Sequence, residues 1–484
     1  MGILALSYNG LSYYLKSCFL YCGIFPEDSD IEASKLIHLW LAEGFIQRRG
    51  KETLEDIAED YVHELIHRSL IQSCRMHDLL RDLAVLEAKD AKNFEVHENI
   101  DFTLPISVRR LVIHQNLINK NISQCLHNSQ LRYLVLCTHI KLLTVLDLGK
   151  TSDNYMLPRE IGELIHLKFL CIKGYSRLTL PSSICRLVNL QSLDLGDHFC
   201  SIPYSIWKLQ QLRHLNCWNC KISNSSKISK CVNGYLGGGR RRRRSWLEGD
   251  GLGKLTQLRK LDLRGSLTPY LKKGFFESIT KLTTLQTLSL SIKNYSHKMF
   301  LDHLVLEWQK NVIEEKTLFL GLEPFSCHTC LFEVHLGEKF EKLSEQFELY
   351  PPNLLKLDLW ECELRDDPMM ILEKLPSLRK LGLYSDAYVG RKMICSSEGF
   401  LRLEMLDFFK LNELEELIVE EGAMTSLKIL VILGCDEMKK LPHGLLQLKN
   451  FEKLLLDSLQ YRESIEEIEK AEGEDWDKLR KIMC

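Results

Sequence analysis

Residues 354–359 read LLKLDL, with leucine at the first, fourth and sixth positions. In a strand, successive side chains point to opposite faces, so Leu357 and Leu359 would share one side and the polar residues between them the other. The pattern therefore predicts a short strand with one buried face. A single strand of this kind cannot form a core, so it needs similar strands beside it.

The same L-x-x-L-x-L spacing recurs along most of the chain beyond about residue 104. Copies start at Leu143, Leu167, Leu190, Leu212, Leu258, Leu285, Leu331, Leu354, Leu378, Leu403, Leu427 and Phe451. Successive copies start 22 to 27 residues apart, or 46 residues apart (twice 23) where a copy is degenerate, which is the period of leucine-rich repeats. Each repeat buries its leucines against its neighbours, so we predict a curved solenoid with a parallel sheet on its concave face, where exposed strand residues would bind partners.

A proline motif recurs between the strands. Residues 157–161, 180–184, 202–206 and 441–445 each place proline after leucine or isoleucine and an aliphatic residue three positions later. Proline restricts the backbone to turn-compatible conformations, so we expect it to close the turn onto the convex side.

Residues 3–100 follow the period of helices instead. One face carries Ala33, Leu36, Ile37, Trp40 and Leu41, which predicts a helix with Asp30 as its N-cap and Gly44 at its end. Similar spacing predicts helices around residues 11–19, 54–65 and 79–86. We therefore predict an α/β protein in two parts: a helical domain over residues 1–100 and a leucine-rich-repeat domain over residues 101–484.

Composition excludes several classes of function. The net charge of -2 gives no general attraction to nucleic acid or an anionic membrane, so we expect neither as a partner. No apolar run approaches the roughly 18 residues needed to span a bilayer. The 17 cysteines are scattered along a long chain with no secretory leader, which favours reduced thiols in the cytoplasm or the nucleus.

Two cysteine pairs have the C-x-x-C spacing of a zinc or redox half-site. Cys217 occupies the last leucine position of its repeat, and Cys220 the Asn/Cys position, so the repeat explains that pair. The repeat does not explain Cys327 and Cys330, which enclose His328. For this second pair the metal or redox interpretation stays open, although two distant half-sites do not predict a zinc ribbon.

Two further segments resemble nucleotide or polyanion sites. Residues 249–254 read GDGLGK, but a P-loop requires glycine where Glu248 stands and serine or threonine where Leu255 stands, and no other segment fits that motif. Arg240–Arg244 follow three glycines. A solvated loop insertion, a nuclear-import or polyanion-binding patch, and a translated intron all fit this arginine run.

The segment SCRMHDLLRDLA, residues 73–84, stands where a helix begins. Asp78 can cap that helix, and His77 would lie at its N-terminus, where free N–H groups and the helix dipole favour an anion such as phosphate. A cap beside an ordinary buried histidine is the alternative. No catalytic Ser, His and Asp set or acid pair is found, so we expect a non-enzymatic protein.

Three segments carry a family resemblance: CFLYCGIFPED at 18–28, LIHLWLAEGFI at 36–46 and MHDLLRDLA at 76–84. In this order, and followed by leucine-rich repeats, they resemble plant intracellular nucleotide-binding disease resistance proteins of the coiled-coil type. They match the winged-helix subdomain that ends the NB-ARC module of those proteins.

The resemblance implies that His77 contacts the β-phosphate of ADP and that Asp78 supports the local structure. Exchange of ADP for ATP would move the winged helix and permit defence signalling, while the repeats would recognise a pathogen effector or a guarded host protein. The P-loop and the domains that precede it in the family are not found here. We therefore expect the C-terminal part of such a receptor, which needs an NB-ARC domain in cis or in trans and binds no ADP by itself.

Two other readings remain. The chain could be a stand-alone leucine-rich-repeat adaptor that binds host or pathogen proteins without nucleotide, or an ATPase whose nucleotide domain is supplied in trans.

Overall fold

The computed structural model of this chain forms two compact units, Met1–Gly239 and Arg240–Cys484. It describes residues 7–25, 31–71, 78–90, 110–112, 142–151, 155–174, 177–196, 199–217, 221–223, 251–265, 277–292, 325–337, 339, 343–344, 346, 349–438, 440, 444–445 and 448–456. The domain boundary expected between residues 100 and 101 lies outside these ranges, as does the arginine run Arg240–Arg244, so both remain predictions.

The first unit begins with helices where the spacing predicted them. Their bounds are α1 Tyr13–Cys22, α2 Ala33–Glu43, α3 Leu54–His67 and α4 Asp78–Asp90. Trp40, Phe19 and Leu36 are fully buried and form their common core. Gly44 ends α2 in the left-handed conformation with φ of 78°, which glycine adopts without strain.

The predicted N-cap of α2 is wrong. The helix starts at Ala33, so the cap position falls on Glu32, two residues beyond Asp30, and Glu32 forms no side-chain cap hydrogen bond. The next helix, α3, has a reciprocal cap at its N-terminus. Thr53 Oγ1 accepts from the Asp56 amide at 3.2 Å, and Asp56 Oδ2 accepts from the Thr53 amide at 3.1 Å. Such a capping box satisfies two backbone donors that would otherwise lack partners.

Strands follow the helices in the first unit: β1 Arg110–Val112, β2 Val145–Thr151, β3 Tyr155–Met156, β4 Phe169–Gly174, β5 Arg177–Thr179, β6 Ser192–Asp194, β7 Phe199–Pro203, β8 His214–Cys217 and β9 Lys221–Ser223. One parallel sheet has the order β1-β2-β4-β6-β8 and a second the order β3-β5-β7-β9.

The second unit continues the pattern with β10 Lys260–Gly265, β11 Thr287–Ile292, β12 Glu333–Gly337, β13 Lys356–Trp360, β14 Lys380–Tyr384, β15 Lys392–Cys395, β16 Met405–Phe409, β17 Glu416–Val419, β18 Ile429–Leu433 and β19 Lys453–Leu456. A short helix, α5, covers Met369–Leu372. Its main parallel sheet has the order β10-β11-β12-β13-β14-β16-β18-β19, and β15 pairs with β17.

The leucines of the repeat occupy the positions that the spacing predicted. Leu357 pairs with Leu381 and Leu359 with Leu383 across parallel strands, and these four side chains are at most 1% exposed. Each leucine therefore packs against its equivalents in the adjacent repeats. The solenoid prediction is confirmed.

The proline motif starts a turn of 3-10 helix. Pro158, Pro181 and Pro203 are the N-caps of helices Arg159–Glu163, Ser182–Arg186 and Tyr204–Lys208. In the second unit the segment that resembles a P-loop contains a similar 3-10 helix, Leu252–Lys254. It is a repeat turn, in agreement with the sequence analysis.

Candidate functional site

The structure describes the predicted phosphate contact only in part. Asp78 is the first residue of α4, so a helix does begin at the motif as predicted. His77 and the side chain of Asp78 lie outside the described residues. Arg81, one turn further along α4, donates from Nε to the Phe25 carbonyl at 2.7 Å, which joins this helix to the end of the α1 region. The role of His77 and Asp78 stays a prediction.

The cysteine candidates have different surroundings. Cys217 is buried at the end of β8, as the repeat predicted, and Cys220 lies outside the described residues. Cys327 and Cys330 are exposed, while His328 is buried, with Nε2 3.2 Å from the Ile279 carbonyl oxygen. Within the described ranges, no group of three or more His, Cys, Asp or Glu side chains is placed to hold a metal ion.

A different site emerges where the helices meet the repeats of the first unit. Strand residues between the leucines point to the open face of the sheet, which we expected to be exposed. In β2 and β4 they are buried instead: Val145, Phe169 and Cys171 belong to one apolar cluster with Trp40 and other helical residues. The expectation fails here because α2 packs against β2 and β4 and removes this part of the sheet from solvent.

An ion pair lies beside this apolar contact. Lys35 Nζ, from α2, is 2.5 Å from Asp147 Oδ2 in β2, and the Asp147 side chain is 3% exposed. Burial is the largest single effect and disfavours the Lys35 cation, but the charges of Asp147 and Cys171 and the hydrogen bond to Asp147 together outweigh it and raise the pKa of Lys35. Lys35 is therefore held as a cation against a buried carboxylate.

A second polar contact joins α3 to β8. Glu55 accepts two hydrogen bonds from Arg213, one from Nε at 2.8 Å and one from Nη2 at 2.6 Å. Its Oε1 is also 3.2 Å from His214 Nε2. Burial disfavours the Glu55 carboxylate, yet the hydrogen bonds and charges of His214 and Arg213 outweigh it and hold the pKa of Glu55 well below its usual range.

His214 connects this contact to further groups. Its Nδ1 is 2.8 Å from Ser192 Oγ, and its ring stacks on that of His38 with centroids 3.7 Å apart. Lys173 adds a longer contact, with Nζ 3.4 Å from Asp194 and 3.7 Å from Glu32. We call the group Lys35, His38, Glu55, Asp147, Arg213 and His214 the helix–repeat contact.

The helix–repeat contact can act as a restraint rather than as a catalyst. Its charges pair across two segments far apart in sequence, since Glu55 and Arg213 are separated by 158 residues. Removing one member of a buried pair leaves an uncompensated charge, so the contact strongly favours one arrangement of helices and repeats. The periodicity of the sequence did not predict the helix–repeat contact. The sequence signal related to it is the acidic residue Glu55 in the first turn of α3.

The fold and this contact together define a leucine-rich-repeat protein whose N-terminal helices pack on the open face of its first repeats. The family model for the leucine-rich repeat region matches residues 123–474, and that for the disease resistance protein winged helix domain matches residues 24–84. The chain therefore belongs to the leucine-rich-repeat disease resistance proteins.

Curated relatives agree with this assignment. The chain is 31% identical to Disease resistance protein RPH8A of Arabidopsis thaliana, over 99% of this chain and 54% of that protein. It is also 31% identical to Probable disease resistance protein RXW24L of the same plant, again over 99% of this chain and 54% of the relative. The chain thus spans about half the length of these relatives. Among the described residues, no helix is both long and apolar enough to cross a membrane.

Proposed function

We propose that this chain forms the winged-helix and leucine-rich-repeat part of a plant disease resistance receptor. The support is the winged-helix match followed by repeats, together with relatives that are named disease resistance proteins. On this proposal the repeats recognise a pathogen effector or a guarded host protein, and the chain binds and regulates rather than catalyses.

On this proposal the nucleotide is bound by an NB-ARC module that is supplied in cis or in trans. His77 would contact the β-phosphate of ADP, and Asp78 would support the start of α4. Such a contact is chemically reasonable because free N–H groups at a helix N-terminus favour an anion. The ADP-bound form would hold the winged helix in its resting position.

The observation that carries the proposal is the helix–repeat contact. A receptor that responds through its repeats needs a physical connection between them and the winged helix. Glu55 with Arg213, and Lys35 with Asp147, supply one that is buried and specific in its pairing. A partner that displaces the first repeats would break these pairs and release the helices, which is a two-state change biased by local charge.

The test exchanges the charges of Glu55 and Arg213 and measures the response in leaf tissue. The full chain is expressed together with the part of RPH8A that it does not span, and cell death is measured as ion leakage. We expect Glu55→Arg to raise leakage because it places two cations face to face. The double variant Glu55→Arg with Arg213→Glu restores opposite charges and is expected to return leakage toward the wild-type level.

A matched control uses the same change outside the contact. Glu64→Arg alters an exposed acidic residue of α3, whose partner is Arg68. It should leave leakage unchanged. Equal leakage from all these variants, with circular dichroism showing each one folded, would contradict a regulated receptor and favour the stand-alone adaptor.

A further inference from the structure

Three aromatic side chains form a continuous row on the open face of the second unit. Trp360, Tyr384 and Phe409 end strands β13, β14 and β16 and are direct partners across the sheet. The rings of Trp360 and Tyr384 stack with centroids 4.3 Å apart and planes 21° from parallel. We call these three residues the aromatic row.

The aromatic row is partly open to solvent. Trp360 is 41% exposed, whereas the equivalent face of β2 and β4 in the first unit is covered by α2. A large exposed aromatic side chain on a binding face is typical of an interaction site. The row is also held in position, because the Tyr384 ring lies across Gly382, where an added Cβ would overlap the ring.

Carboxylates lie beside the aromatic row on the same face. Tyr384 Oη donates to Asp407 Oδ2 at 3.0 Å. Asp358, in β13, lies 2.7 Å from His335 Nδ1 and 3.4 Å from Lys356 Nζ, so its charge is offset. Asp407 forms no salt bridge among the described residues.

Asp407 is a partly buried carboxylate with a second carboxylate, Asp358, close enough to affect its pKa. Burial raises the pKa of Asp407 and the charge of Asp358 adds to this effect, against the hydrogen bond from Tyr384. Burial, followed by the charges of both carboxylates, raises the pKa of Tyr384 as well. Lys380 shares this face as an exposed cation, and no described salt bridge joins it to either carboxylate.

The row already accepts a cation at one end. Lys410 Nζ lies 5.1 Å from the centroid of the Phe409 ring, within the range of a cation–π interaction. The Trp360 and Tyr384 end has a more exposed ring and a carboxylate nearby. A guanidinium group suits this combination because it is planar, stacks on aromatic faces and pairs with carboxylates through two hydrogen bonds.

We propose that the aromatic row binds an arginine side chain of a protein partner, with the guanidinium against the rings of the row and paired with Asp407. This inference rests on the proposed recognition role of the repeats and specifies the chemistry of the partner. It involves residues of the second unit only, so it is tested separately from the helix–repeat contact.

The test measures binding of a fluorescein-labelled peptide of alternating glycine and arginine to the full chain by fluorescence anisotropy at fixed ionic strength. A peptide with citrulline in place of arginine keeps the shape and removes the charge. We expect the arginine peptide to bind, and Trp360→Ala and Asp407→Asn each to weaken it by at least about fivefold, as expected for loss of a cation–π or charged contact.

Matched variants distinguish binding at this site from non-specific attraction of the arginine peptide to other acidic or aromatic residues. Glu413→Gln removes an exposed acidic charge outside the row, and Tyr13→Ala removes an exposed aromatic ring in the first unit; both should bind as the wild type does. Tyr384→Phe keeps the ring and frees Asp407 from its hydrogen bond, so binding should be retained. No binding by the wild type, equal binding of the citrulline peptide, or equal loss in the Glu413 and Asp407 variants would overturn the proposal.

Discussion

Glu55 shows how one residue can join two parts of the first unit. Its side chain is 12% exposed and lies 2.6 Å from Arg213 and 3.2 Å from His214. A carboxylate removed from water is costly unless it is paired and hydrogen-bonded. Here both conditions are met, so the residue stabilises one arrangement of α3 on β8 and makes that arrangement sensitive to loss of either partner.

This pairing predicts a pH-dependent effect of Glu55→Gln. At pH 7 the free energy of local unfolding of α3 should be about 3 kcal/mol lower in the variant than in the wild type, because Arg213 loses its charged partner. Folding lowers the pKa of Glu55 below its usual 4.5, so its stabilising contribution is present above that pH and is lost as the pH falls further. Hydrogen exchange of α3 amides, corrected for intrinsic rates, should therefore show the difference narrowing below about pH 4.5.

The control for this prediction is Glu64→Gln in the same helix. Glu64 pairs with Arg68 in solvent, where such a pair contributes less than about 1 kcal/mol. The assigned role of the Glu55 charge would be contradicted if the difference in α3 unfolding free energy between wild type and Glu55→Gln stayed constant or widened as the pH fell.

At the scale of the element, α3 illustrates how capping positions a functional residue. Thr53 and Asp56 form a capping box at its start, and Glu55 stands between them in the first turn. If this turn frays, the Glu55 carboxylate loses its position against Arg213. The cap therefore contributes both to the stability of the helix and to the geometry of the helix–repeat contact.

We predict that Thr53→Ala lowers the stability of the start of α3 by about 1 kcal/mol, the usual effect of losing such a cap. Thermal unfolding and exchange of the first α3 amides measure the loss. Ser17→Ala also removes a hydroxyl, but within α1, where alanine is the better helix former; it should be neutral or slightly stabilising. Equal effects from the two variants would show that the capping box does not stabilise α3.

At the scale of the whole molecule, the open face of the repeat strands differs between the two units. In the first unit it is covered by helices through an apolar cluster and buried ion pairs. In the second unit it presents the aromatic row, with Trp360 exposed. On the two proposals above, one repeat architecture would provide both a regulatory contact and a recognition surface, and the residues between the leucines would decide which.

A prediction at this scale concerns nucleotide. We expect calorimetric titration of the full 484-residue chain with ADP to show no binding in the micromolar range, because one histidine at a helix end does not replace the glycine loop and lysine of a P-loop. Micromolar affinity would show that this chain contains a nucleotide site of another kind. His77→Ala would then test whether that site includes the predicted phosphate contact.

The sequence by itself determined the class of the fold. The leucine spacing predicted the buried strand positions, such as Leu357 and Leu381, and the 3.6-residue period predicted the four N-terminal helices. Both signals are local, because alternate strand positions and successive helix turns impose them within a few residues. The disease resistance resemblance came from short motifs of the same kind, and the family comparison confirmed it.

Only the tertiary structure decided which residues meet. Nothing local relates Glu55 to Arg213, or shows that Val145 and Phe169 are covered by a helix while Trp360 is left open. Likewise, the repeat template treats Gly382 as one more position, although it leaves the space that the Tyr384 ring occupies on its way to Asp407. Periodicity specifies which side of an element is buried, but the partner of an individual charge or ring depends on packing between segments distant in the chain.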